Sequence, residues 1–574
     1  MKACHDSRQL TYRNPSGALP TAARLTLRVR TDAKKATLRL WWNDQETRLA
    51  MRRVPHEKDL FVKTLDMPAE GGLLWYFFIL ENKDETMYLG NAPDDLGGEG
   101  ALYDHEPPSF QITVYDKAYA PPKWMADSIM YQIMVDRFCA VDPVKPPVGR
   151  LHENWDEPPV LDIAAEQDDN KADDFFGGNL RGVLSKLDYL QSLGVNVIYF
   201  NPIFESRSNH KYDTADYERI DPSFGDEADF RALCEECRSR GMRVILDGVF
   251  SHTGADSRYF NRFGRYDEVG AYQSEDSPYA PWYTFQSWPD EYDCWWGFHL
   301  LPNVNELEPS YLKYIVTGEN AVAVKWLRAG ASGWRLDVAD ELPMPFIRAL
   351  RRRVKAEDPE AALIGEVWEN ASCKIAYDEL RSYCLGDTLD SVMNYPLREG
   401  LIDFLTGVID APALKRRLDS LFENYPAPFY TSLMNLVGSH DKARVINRLS
   451  GCEPEHTDRA ERAFRPLSDD CYALGRERFI KLWRFVCALP GMPCLYYGDE
   501  AGMQGGDDPF CRGTYPWGRE DTALIDEIRR IDRARHASMA ARHGSLALEA
   551  DGPDAITAVR VYRSETLRVT LNRD

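Results

Sequence analysis

An arginine and an aspartate lie two positions apart at the end of an apolar run, residues 333–341 (GWRLDVADE). In an extended strand, side chains at positions i and i+2 point to the same face, so Arg335 and Asp337 are predicted to project together. A guanidinium beside a carboxylate favours the charged form of that carboxylate, which suits a nucleophile. A structural ion pair explains the same two residues equally well, and this stretch alone leaves both interpretations open.

Further polar side chains follow other apolar segments that have the pattern of strands. In chain order they are Asp247, His252, Glu366, His440 and Asp441. If the strands form a parallel barrel, their carboxyl ends meet at one rim, which is where the active site of such a barrel lies. Together with the aspartate of the first stretch, four carboxylates and two imidazoles would converge there. Any one of them alone would more often be a hydrogen-bonding residue of the core, but the set indicates an active site.

Alternating strand and helix patterns between residues 124 and 545 must position these side chains. The predicted strands lie at residues 129–133, 195–200, 243–247, 333–338, 362–367, 391–394, 433–437 and 494–497. Helical patterns separate them, so we predict an α/β fold in which residues 124–545 form a catalytic (β/α)8 TIM barrel. An insert domain after strand three, at about residues 253–305, is rich in Trp and Tyr and is expected to form a lid or substrate wall.

Two smaller β-rich regions flank the predicted barrel. Residues 1–117 alternate apolar and polar positions between turn residues, which predicts an N-terminal β-sandwich of immunoglobulin-like type. We favour packing or dimerisation over independent sugar binding as the role of this domain. Residues 546–574 contain two or three strands at most, so this truncated C-terminal β segment is expected to pack on the barrel.

Charge and composition argue against several classes of partner. The formal net charge of −22 over 574 residues disfavours nucleic acid and an anionic membrane as partners. No apolar run is long enough to span a membrane, and residues 1–10 lack the pattern of a signal peptide. The 12 cysteines are scattered, so we predict reduced thiols and a cytoplasmic location. Cys234 and Cys237 form a lone C-x-x-C motif without a second pair at zinc-site spacing.

An ordered set of motifs covers nearly the whole chain. The core motifs are residues 247–252 (DGVFSH), 335–337 (RLD), 366 (E) and 440–441 (HD). Accompanying motifs are residues 175–183 (FFGGNLRGV), 210–217 (HKYDTADY), 301–305 (LPNVN) and 491–500 (GMPCLYYGDE). In this order they resemble the α-amylase family of glycoside hydrolases, specifically its neopullulanase, cyclomaltodextrinase and maltogenic-amylase branch. One such motif would be weak evidence, whereas the ordered set is specific.

The resemblance implies catalytic roles for three carboxylates. Asp337 would be the nucleophile, Glu366 the general acid/base, and Asp441 would hydrogen-bond sugar hydroxyls and stabilise the distorted transition state. A retaining glycosidase needs one ionised and one protonated carboxyl about 5–5.5 Å apart. Arg335 would hold the nucleophile ionised, and burial beside an anion would raise the pKa of Glu366.

The resemblance also implies substrate-binding residues around these carboxylates. His252 and His440 would hydrogen-bond the hydroxyls of the bound glucose, and Tyr212 would stack on its ring. Asp247 would orient Arg335 rather than take part in the chemistry.

Several positions depart from the family pattern. Ser251 and Ser439 stand where the family often has Asn before the His. The Asn-rich loop that binds Ca²⁺ in some relatives is not evident at residues 138–142, so we expect no required cofactor and no metal ligands, with Ca²⁺ as the alternative. The acidic residues of the loop at about residues 139–176, including Asp168 and Asp169, are expected to be a solvated surface.

Two pairs of charged residues are expected to act on more distant sugars. Asp340 and Glu341 stand where many relatives have Lys-His, and they are expected to influence which sugar is accepted on the leaving side. Asp508 and Arg512 are expected to line a neighbouring sugar subsite.

The leading hypothesis is a retaining glycosidase that cleaves α-1,4 bonds, and α-1,6 bonds as a second target, in maltooligosaccharides, cyclodextrins or pullulan. Transglycosylation by the same residues is one alternative, and a catalytically silent glucan-binding member of the fold is another. Relatives use the N-terminal domain to cover a neighbour's active site, so the resemblance also implies a homodimer.

Overall fold

The computed structural model describes residues 1–161, 172–452 and 466–573, so Asp168 and Asp169 lie outside the described residues. Two antiparallel-rich sheets occupy the N-terminal part of the chain. The first contains the strands Ala3–Cys4, Arg13–Asn14, Arg24–Thr31, Arg52–Val54 and Glu57–Asp66. The second contains Leu19–Pro20, Lys35–Trp42, Gln45–Ala50, Gly72–Glu81, Thr86–Gly90, Ala101–Tyr103 and Phe110–Tyr115. Alternate residues of both sheets, such as Leu27 and Tyr76, share one apolar core, which makes this region a β-sandwich.

A parallel barrel follows the sandwich, as the sequence predicts. Within the described residues its eight strands are Met130–Ile133, Val197–Phe200, Arg243–Gly248, Gly333–Leu336, Ala362–Gly365, Ser391–Val392, Met434–Leu436 and Met492–Tyr496. Each strand pairs in parallel with its neighbours, and strand one pairs with strand eight. A parallel bridge between Met393 and Met434 joins strands six and seven and completes the ring. The predicted fold class is therefore confirmed.

Helices cover the outside of the barrel, because one face of each is apolar and packs on the strands. The described α-helices are Val135–Phe138, Leu180–Ser185, Leu187–Ser192, Glu227–Ser239, Pro309–Leu312, Val322–Ala329, Met344–Glu357, Tyr395–Leu405, Ala411–Asn424, Ala427–Tyr430, Val445–Ser450, Asp469–Ala488, Thr522–Ala537 and Met539–His543. Shorter 3₁₀ turns are Lys123–Asp127, Ala280–Trp282, Trp295–Gly297, Ala339–Glu341 and Phe510–Arg512, and Lys313–Thr317 is a π-turn. None of the helices in the described ranges is both long and apolar enough to cross a membrane.

The helix Glu227–Ser239 shows how the sequence fixes these elements. Its N-terminus is closed by a capping box, in which the side chains of Asp226 and Asp229 each accept from the other's backbone N–H. Cys234 and Cys237 lie on its buried face, where burial raises the pKa of the Cys237 thiol to about 12. The lone C-x-x-C motif is therefore part of the apolar core between helix and barrel.

Small sheets complete the fold. Two-stranded sheets pair Arg150–Leu151 with Asp174–Phe175, Phe204–Ser206 with Thr214–Ile220, Phe285–Ser287 with Glu291–Tyr292, and Ile375–Ala376 with Glu379–Leu380. The C-terminal sheet consists of Ser545–Ala550, Ala555–Tyr562 and Glu565–Asn572. Its apolar residues Leu548, Ile556 and Leu571 join the same core as the barrel helices, so this segment packs on the barrel as expected.

The expectation that all cysteines are reduced is wrong for one pair. Cys452, which follows the helix Val445–Ser450, forms a disulfide with Cys471 in the first turn of the helix Asp469–Ala488. The other ten cysteines are free. Sequence spacing could not reveal the pairing, because a disulfide requires two Cβ atoms that face each other at short range.

Candidate active site

The register of strands four and five places the carboxyls of Asp337 and Glu366 at the same height on the barrel rim. Leu336 of strand four pairs with Gly365 of strand five, and the next residues along the two strands are Asp337 and Glu366. The ladder continues into these residues, since the Glu366 N–H donates to the Leu336 carbonyl at 3.0 Å. The Asp337 N–H donates to the carbonyl of Gly248 on strand three at 3.1 Å. The two carboxyls therefore follow neighbouring strands at their carboxyl ends.

The guanidinium of Arg335 connects three carboxylates. Its Nη1 donates to Oδ1 of Asp247 at 2.7 Å and to Oδ1 of Asp337 at 2.8 Å. Its Nη2 lies 2.8 Å from Oε2 of Glu366, an ion pair without hydrogen-bond geometry. Arg335 is 1 % exposed, so these charges interact with little screening by water. The pair that the sequence placed on one strand is therefore the centre of a four-residue charge cluster.

Two hydrogen bonds hold the Glu366 carboxyl in place, and one of them comes from a residue with a strained backbone. The Val338 N–H donates to Oε2 of Glu366 at 2.8 Å, and the indole N–H of Trp368 donates to Oε1 at 3.0 Å. Val338 has φ +35°, in the left-handed region that a β-branched residue rarely adopts. Such strain costs on the order of 1–3 kcal/mol and clusters at functional sites.

The expected lowering of the pKa of Asp337, the predicted nucleophile, is not found. Burial raises the pKa of the Asp337 carboxyl well above its ordinary value, and the neighbouring carboxyls of Glu366 and Asp247 add to the rise. Arg335 opposes this shift without overcoming it. The sequence-based argument considered a single ion pair, whereas in the folded chain one buried guanidinium is shared among three carboxyls.

A hydrogen-bonded chain links His440 to the charge cluster. The side-chain N–H₂ of Gln132 faces Nδ1 of His440 at 2.9 Å, so Nδ1 accepts and the proton lies on Nε2. Nε2 lies 2.6 Å from the hydroxyl of Tyr212, which in turn donates to Oδ2 of Asp247 at 3.0 Å. The rings of Tyr212 and His440 also stack, with centroids 5.2 Å apart. Burial and the nearby cations Arg512 and Arg335 lower the pKa of His440, which keeps this ring neutral.

His252 is the other predicted histidine and has a different environment. Its Nδ1 lies 3.0 Å from Oγ of Ser251, whereas its buried Nε2 has no hydrogen-bond partner among the described residues. Burial lowers the pKa of His252 to about 4, so the ring is neutral. A buried, unengaged ring nitrogen at the site rim can bond a ligand hydroxyl.

Asp441 directly follows His440 in the chain and is partly exposed. Its Oδ1 lies 3.2 Å from Nε2 of His440 and 3.6 Å from Nη2 of Arg512. Arg512 also contacts Oδ1 of Asp508 at 2.8 Å. Ser439 accepts from the Asp441 N–H at 3.3 Å, so the serine in the usual place of an asparagine helps to fix the turn.

The sequence-based prediction assigned no role to several residues that contact the site. Gln132 lies in barrel strand one and Asn201 directly follows strand two, and their side chains bond His440 and Tyr212 respectively. The ring of Trp368 stacks on Tyr395 with centroids 4.6 Å apart. Polar residues at the ends of strands one and two obey the same rim rule as the others, so the sequence carried a signal for them.

No group of three or more His, Cys, Asp or Glu side chains within the described ranges is arranged to hold a metal ion. At the loop where some relatives bind Ca²⁺, the carbonyl of Val141 accepts from the side-chain amide of Asn179 at 2.6 Å. The Asn179 amide oxygen accepts from the Gly182 N–H at 2.8 Å. Each of these two oxygens already accepts a hydrogen bond from the protein, so they are not a set of free oxygens of the kind that binds Ca²⁺.

Comparison of the chain with known proteins gives a family that agrees with the barrel topology and the rim geometry. A family model described as the alpha amylase catalytic domain matches residues 132–543. The chain belongs to the alpha-amylase family, and the predicted resemblance is confirmed.

Individual relatives define the branch within this family. Amylopullulanase from Thermoanaerobacterium saccharolyticum is 38% identical over 94% of the chain, but the match covers 45% of that relative. A cyclomaltodextrinase from a Bacillus species is 34% identical, covering 79% of the chain and 74% of the relative. The solved cyclic alpha-maltosyl-(1→6)-maltose hydrolase from Arthrobacter globiformis superposes with a TM-score of 0.67 and 32% identity, over 79% of this chain and 92% of that chain. The chain thus spans less than half the length of the amylopullulanases that it matches.

Proposed function

We propose that the chain is a retaining glycosidase that cleaves α-1,4-glucosidic bonds, with α-1,6 bonds as a second target, in maltooligosaccharides, cyclodextrins and pullulan. The observation that carries the proposal is the pair of carboxyls, Asp337 and Glu366, on neighbouring strand ends around the guanidinium of Arg335. The similarity to an amylopullulanase and a cyclomaltodextrinase supports the substrate class.

In the first step of the proposed mechanism, a carboxylate oxygen of Asp337 attacks the anomeric carbon of a bound glucose. Glu366 donates its proton to the leaving glycosidic oxygen as that bond breaks. In the second step, Glu366 removes a proton from water, whose oxygen displaces Asp337 from the sugar. Two inversions at the anomeric carbon leave the product with the α configuration of the substrate.

The surrounding residues bind and orient the sugar in this proposal. Nε2 of His252 is unengaged within the described residues and is placed to bond a sugar hydroxyl, and Asp441 supplies a carboxylate for the same purpose. Both ring nitrogens of His440 contact protein groups. Through its contact with the Tyr212 hydroxyl, His440 also holds the Tyr212 ring in position as a stacking surface. Asp247 fixes Arg335.

The test is a product profile on cyclodextrin, pullulan, starch and maltotriose, with the anomer of the first product read by NMR. We expect α products and a preference for cyclodextrin or short glucans over starch. A β product would overturn the double displacement, and a preference for starch would overturn the substrate class. Elongated products from maltotriose would identify transglycosylation instead.

The same proposal includes a homodimer in the cytoplasm. Ten free cysteines against one disulfide support a reducing compartment, and the N-terminal sandwich supplies the domain that relatives place over a neighbour's site. Light scattering tests the dimer, and a monomer at working concentration would overturn it. Immunolocalisation in the producing cell tests the compartment.

A further inference from the structure

The two oxygens of the Glu366 carboxyl have different partners. Oε2 accepts from the Val338 N–H at 2.8 Å and lies 2.8 Å from Nη2 of Arg335. Oε1 accepts from the indole N–H of Trp368 at 3.0 Å, which is its single donor among the described residues. A cation beside a carboxyl oxygen disfavours a proton on that oxygen, and each oxygen offers about two lone-pair sites. A proton bound by Glu366 therefore lies on Oε1, at the site that the indole leaves free.

The indole of Trp368 contacts groups from two further strand ends. Its ring stacks on that of Tyr395, the first residue of the helix after strand six, with centroids 4.6 Å apart and planes 12° apart. Nζ of Lys442, which follows strand seven, lies 3.9 Å from the centroid of the Trp368 ring and 5.8 Å from that of Tyr395. Because Tyr395 is fully buried, its ring is a fixed support. Residues after strands five, six and seven thus meet at one indole.

The ammonium of Lys442 is the charged member of this contact. Burial lowers the pKa of the ammonium and nearby arginines add to this, whereas the carboxylates of Glu399 and Asp441 favour its charged form. An ammonium close to an aromatic face is attracted by the ring electrons, and the attraction is stronger where the cation is partly desolvated. The same charge polarises the indole and makes its N–H a stronger donor. Lys442 thereby fixes the Trp368 ring and strengthens the hydrogen bond to Glu366.

Orientation of the carboxyl matters because of what a general acid must do. The proton has to lie within hydrogen-bond reach of the leaving oxygen, so a small rotation of the carboxyl moves it out of line. The bond from Trp368 sets the direction of the free site on Oε1, as the bond from Val338 holds Oε2. The contact between Lys442 and the indole is therefore placed to control proton delivery.

We propose that Oε1 is the oxygen of Glu366 that delivers the proton, and that Lys442 orients it by holding the Trp368 indole. The inference rests on the proposed function and deepens its first step. In that step the proton on Oε1 goes to the glycosidic oxygen, the bond from this oxygen to the anomeric carbon breaks, and its electron pair stays on the departing oxygen. An oxygen of Asp337 forms the new bond to the anomeric carbon. Lys442 and Trp368 are positioning residues, because they act through the carboxyl.

The test measures how strongly cleavage depends on help from an acid. Aryl α-maltosides with phenols of graded acidity share one sugar and differ in how much protonation the leaving oxygen needs. The slope of log kcat/KM against the phenol pKa reports this need, because kcat/KM covers the steps up to departure of the phenol. Trp368→Phe keeps an aromatic ring but has no N–H, so we expect a steeper slope than in the wild type. An unchanged slope in this variant would overturn the proton assignment.

Lys442→Met keeps an unbranched side chain and removes the charge. It should lower kcat/KM for phenyl α-maltoside about three- to tenfold and that for 2,4-dinitrophenyl α-maltoside by less than about twofold, because the dinitrophenol leaves without a proton. Lys442→Arg, which restores a cation, should recover most of the loss. Equal losses on the two glycosides, or no loss on either, would overturn the role of Lys442.

A combined variant tests whether Lys442 acts through Trp368. The donor is absent in Trp368→Phe, so adding Lys442→Met should steepen the slope no further, and additional steepening would contradict the chain of contacts. Lys186→Met is the matched control, because Nζ of Lys186 also lies 3.9 Å from an indole centroid, that of Trp517. The Trp517 N–H donates to the carbonyl of Phe138 rather than to a carboxyl, so the slope of this variant should equal that of the wild type.

Failure of this inference and failure of the proposed function have different signatures. A wild-type chain that hydrolyses the aryl maltosides, with unchanged slopes in the variants, refutes the proton assignment alone. A wild-type chain that hydrolyses neither the aryl maltosides nor maltotriose refutes the proposed function, and the assignment falls with it. Circular dichroism and the urea midpoint establish that each variant is folded, and Lys442→Met supplies the decisive comparison if Trp368→Phe is not.

Discussion

Two groups of buried acids in the same barrel have different surroundings. At the rim, Asp337 and Glu366 share one guanidinium. After strand eight, Glu500 accepts from the hydroxyls of Tyr131 and Tyr189 at 2.7 and 2.8 Å, and Asp532 accepts from the indole N–H of Trp483 at 2.7 Å. Neither of these two carboxyls forms an ion pair with another described residue, and each keeps a buried oxygen without a hydrogen-bond partner there.

Burial raises the pKa of Asp337 at the rim and those of both acids after strand eight, so a raised pKa alone does not mark a catalytic site. It raises the pKa of Glu500 to about 7 and that of Asp532 to about 8. At the rim the guanidinium opposes the shift and the carboxyls follow two neighbouring strand ends. The comparison distinguishes rim acids that share a cation, as the proposed chemistry requires, from acids after strand eight that hydrogen-bond neutral groups in the core.

The largest expected effect separates the two groups by activity. Asp337→Asn should lower kcat on maltotriose by at least about 10³-fold, because it removes the proposed nucleophile. Glu500→Gln should change kcat by less than about tenfold, because that carboxyl contacts no reacting atom. Steady-state kinetics on variants with wild-type circular dichroism measures both. Similar losses in the two variants would contradict the division into catalytic and structural acids.

The second-largest expected effect is a loss in the free energy of unfolding when the guanidinium of Arg335 is removed from the rim cluster. Arg335→Met leaves three buried carboxyls without their shared partner, and we expect a loss of about 3–5 kcal/mol in the free energy of unfolding, measured by urea titration. The matched control is Arg568→Met, which breaks an exposed pair with Glu549 and should leave the urea midpoint unchanged. Equal midpoints for both variants would refute the coupling.

The acids after strand eight should limit stability at high pH. The folded state holds the proton of Asp532 up to a pKa of about 8, against an ordinary value of 3.8, so rising pH between these values favours the unfolded chain. The slope is about 1.4 kcal/mol per pH unit while this carboxyl alone titrates. Asp532→Asn should flatten the fall of the thermal midpoint between pH 5 and about 8, seen by scanning fluorimetry. An unaltered slope in this variant would assign the pH dependence to other groups.

At the rim, the raised pKa of Asp337 should appear in the pH dependence of activity. The proposed nucleophile must be ionised to attack, so kcat/KM on maltotriose should fall as pH falls, with a midpoint well above the ordinary aspartate value of about 4. Glu500→Gln should leave this acid limb in place. A midpoint near the ordinary value would show that Arg335 outweighs burial in the working enzyme.

The smallest expected effect concerns metal. Incubation with excess EDTA should leave kcat/KM on maltotriose unchanged and lower the thermal midpoint by less than about 2 °C, because the groups around Val141 and Asn179 satisfy one another. Readdition of Ca²⁺ after dialysis is the control. A loss of activity that Ca²⁺ restores would overturn the expectation that no cofactor is required.

Most of the barrel could be predicted because local patterns specify it. Each of the eight predicted strands overlaps an observed strand, including the short Ser391–Val392, since apolar runs between helical segments define them. The rim rule then placed Asp337, Glu366 and Asp441 at one end of the barrel without any knowledge of distances. Contacts between distant segments left no such pattern, as in the disulfide of Cys452 and Cys471.

The sequence alone determined the family, the fold class and the set of polar residues at the barrel rim, because periodicity and motif order are properties of neighbouring residues. Only the tertiary structure decided the electrostatics of the rim and the contacts between distant loops. The pKa of Asp337 depends on burial and on carboxyls from two other strands. The Glu341 carboxylate accepts hydrogen bonds from Trp296 and Tyr377, which lie 45 and 36 positions away in the chain. Such effects arise from distances in space, which local sequence patterns do not encode.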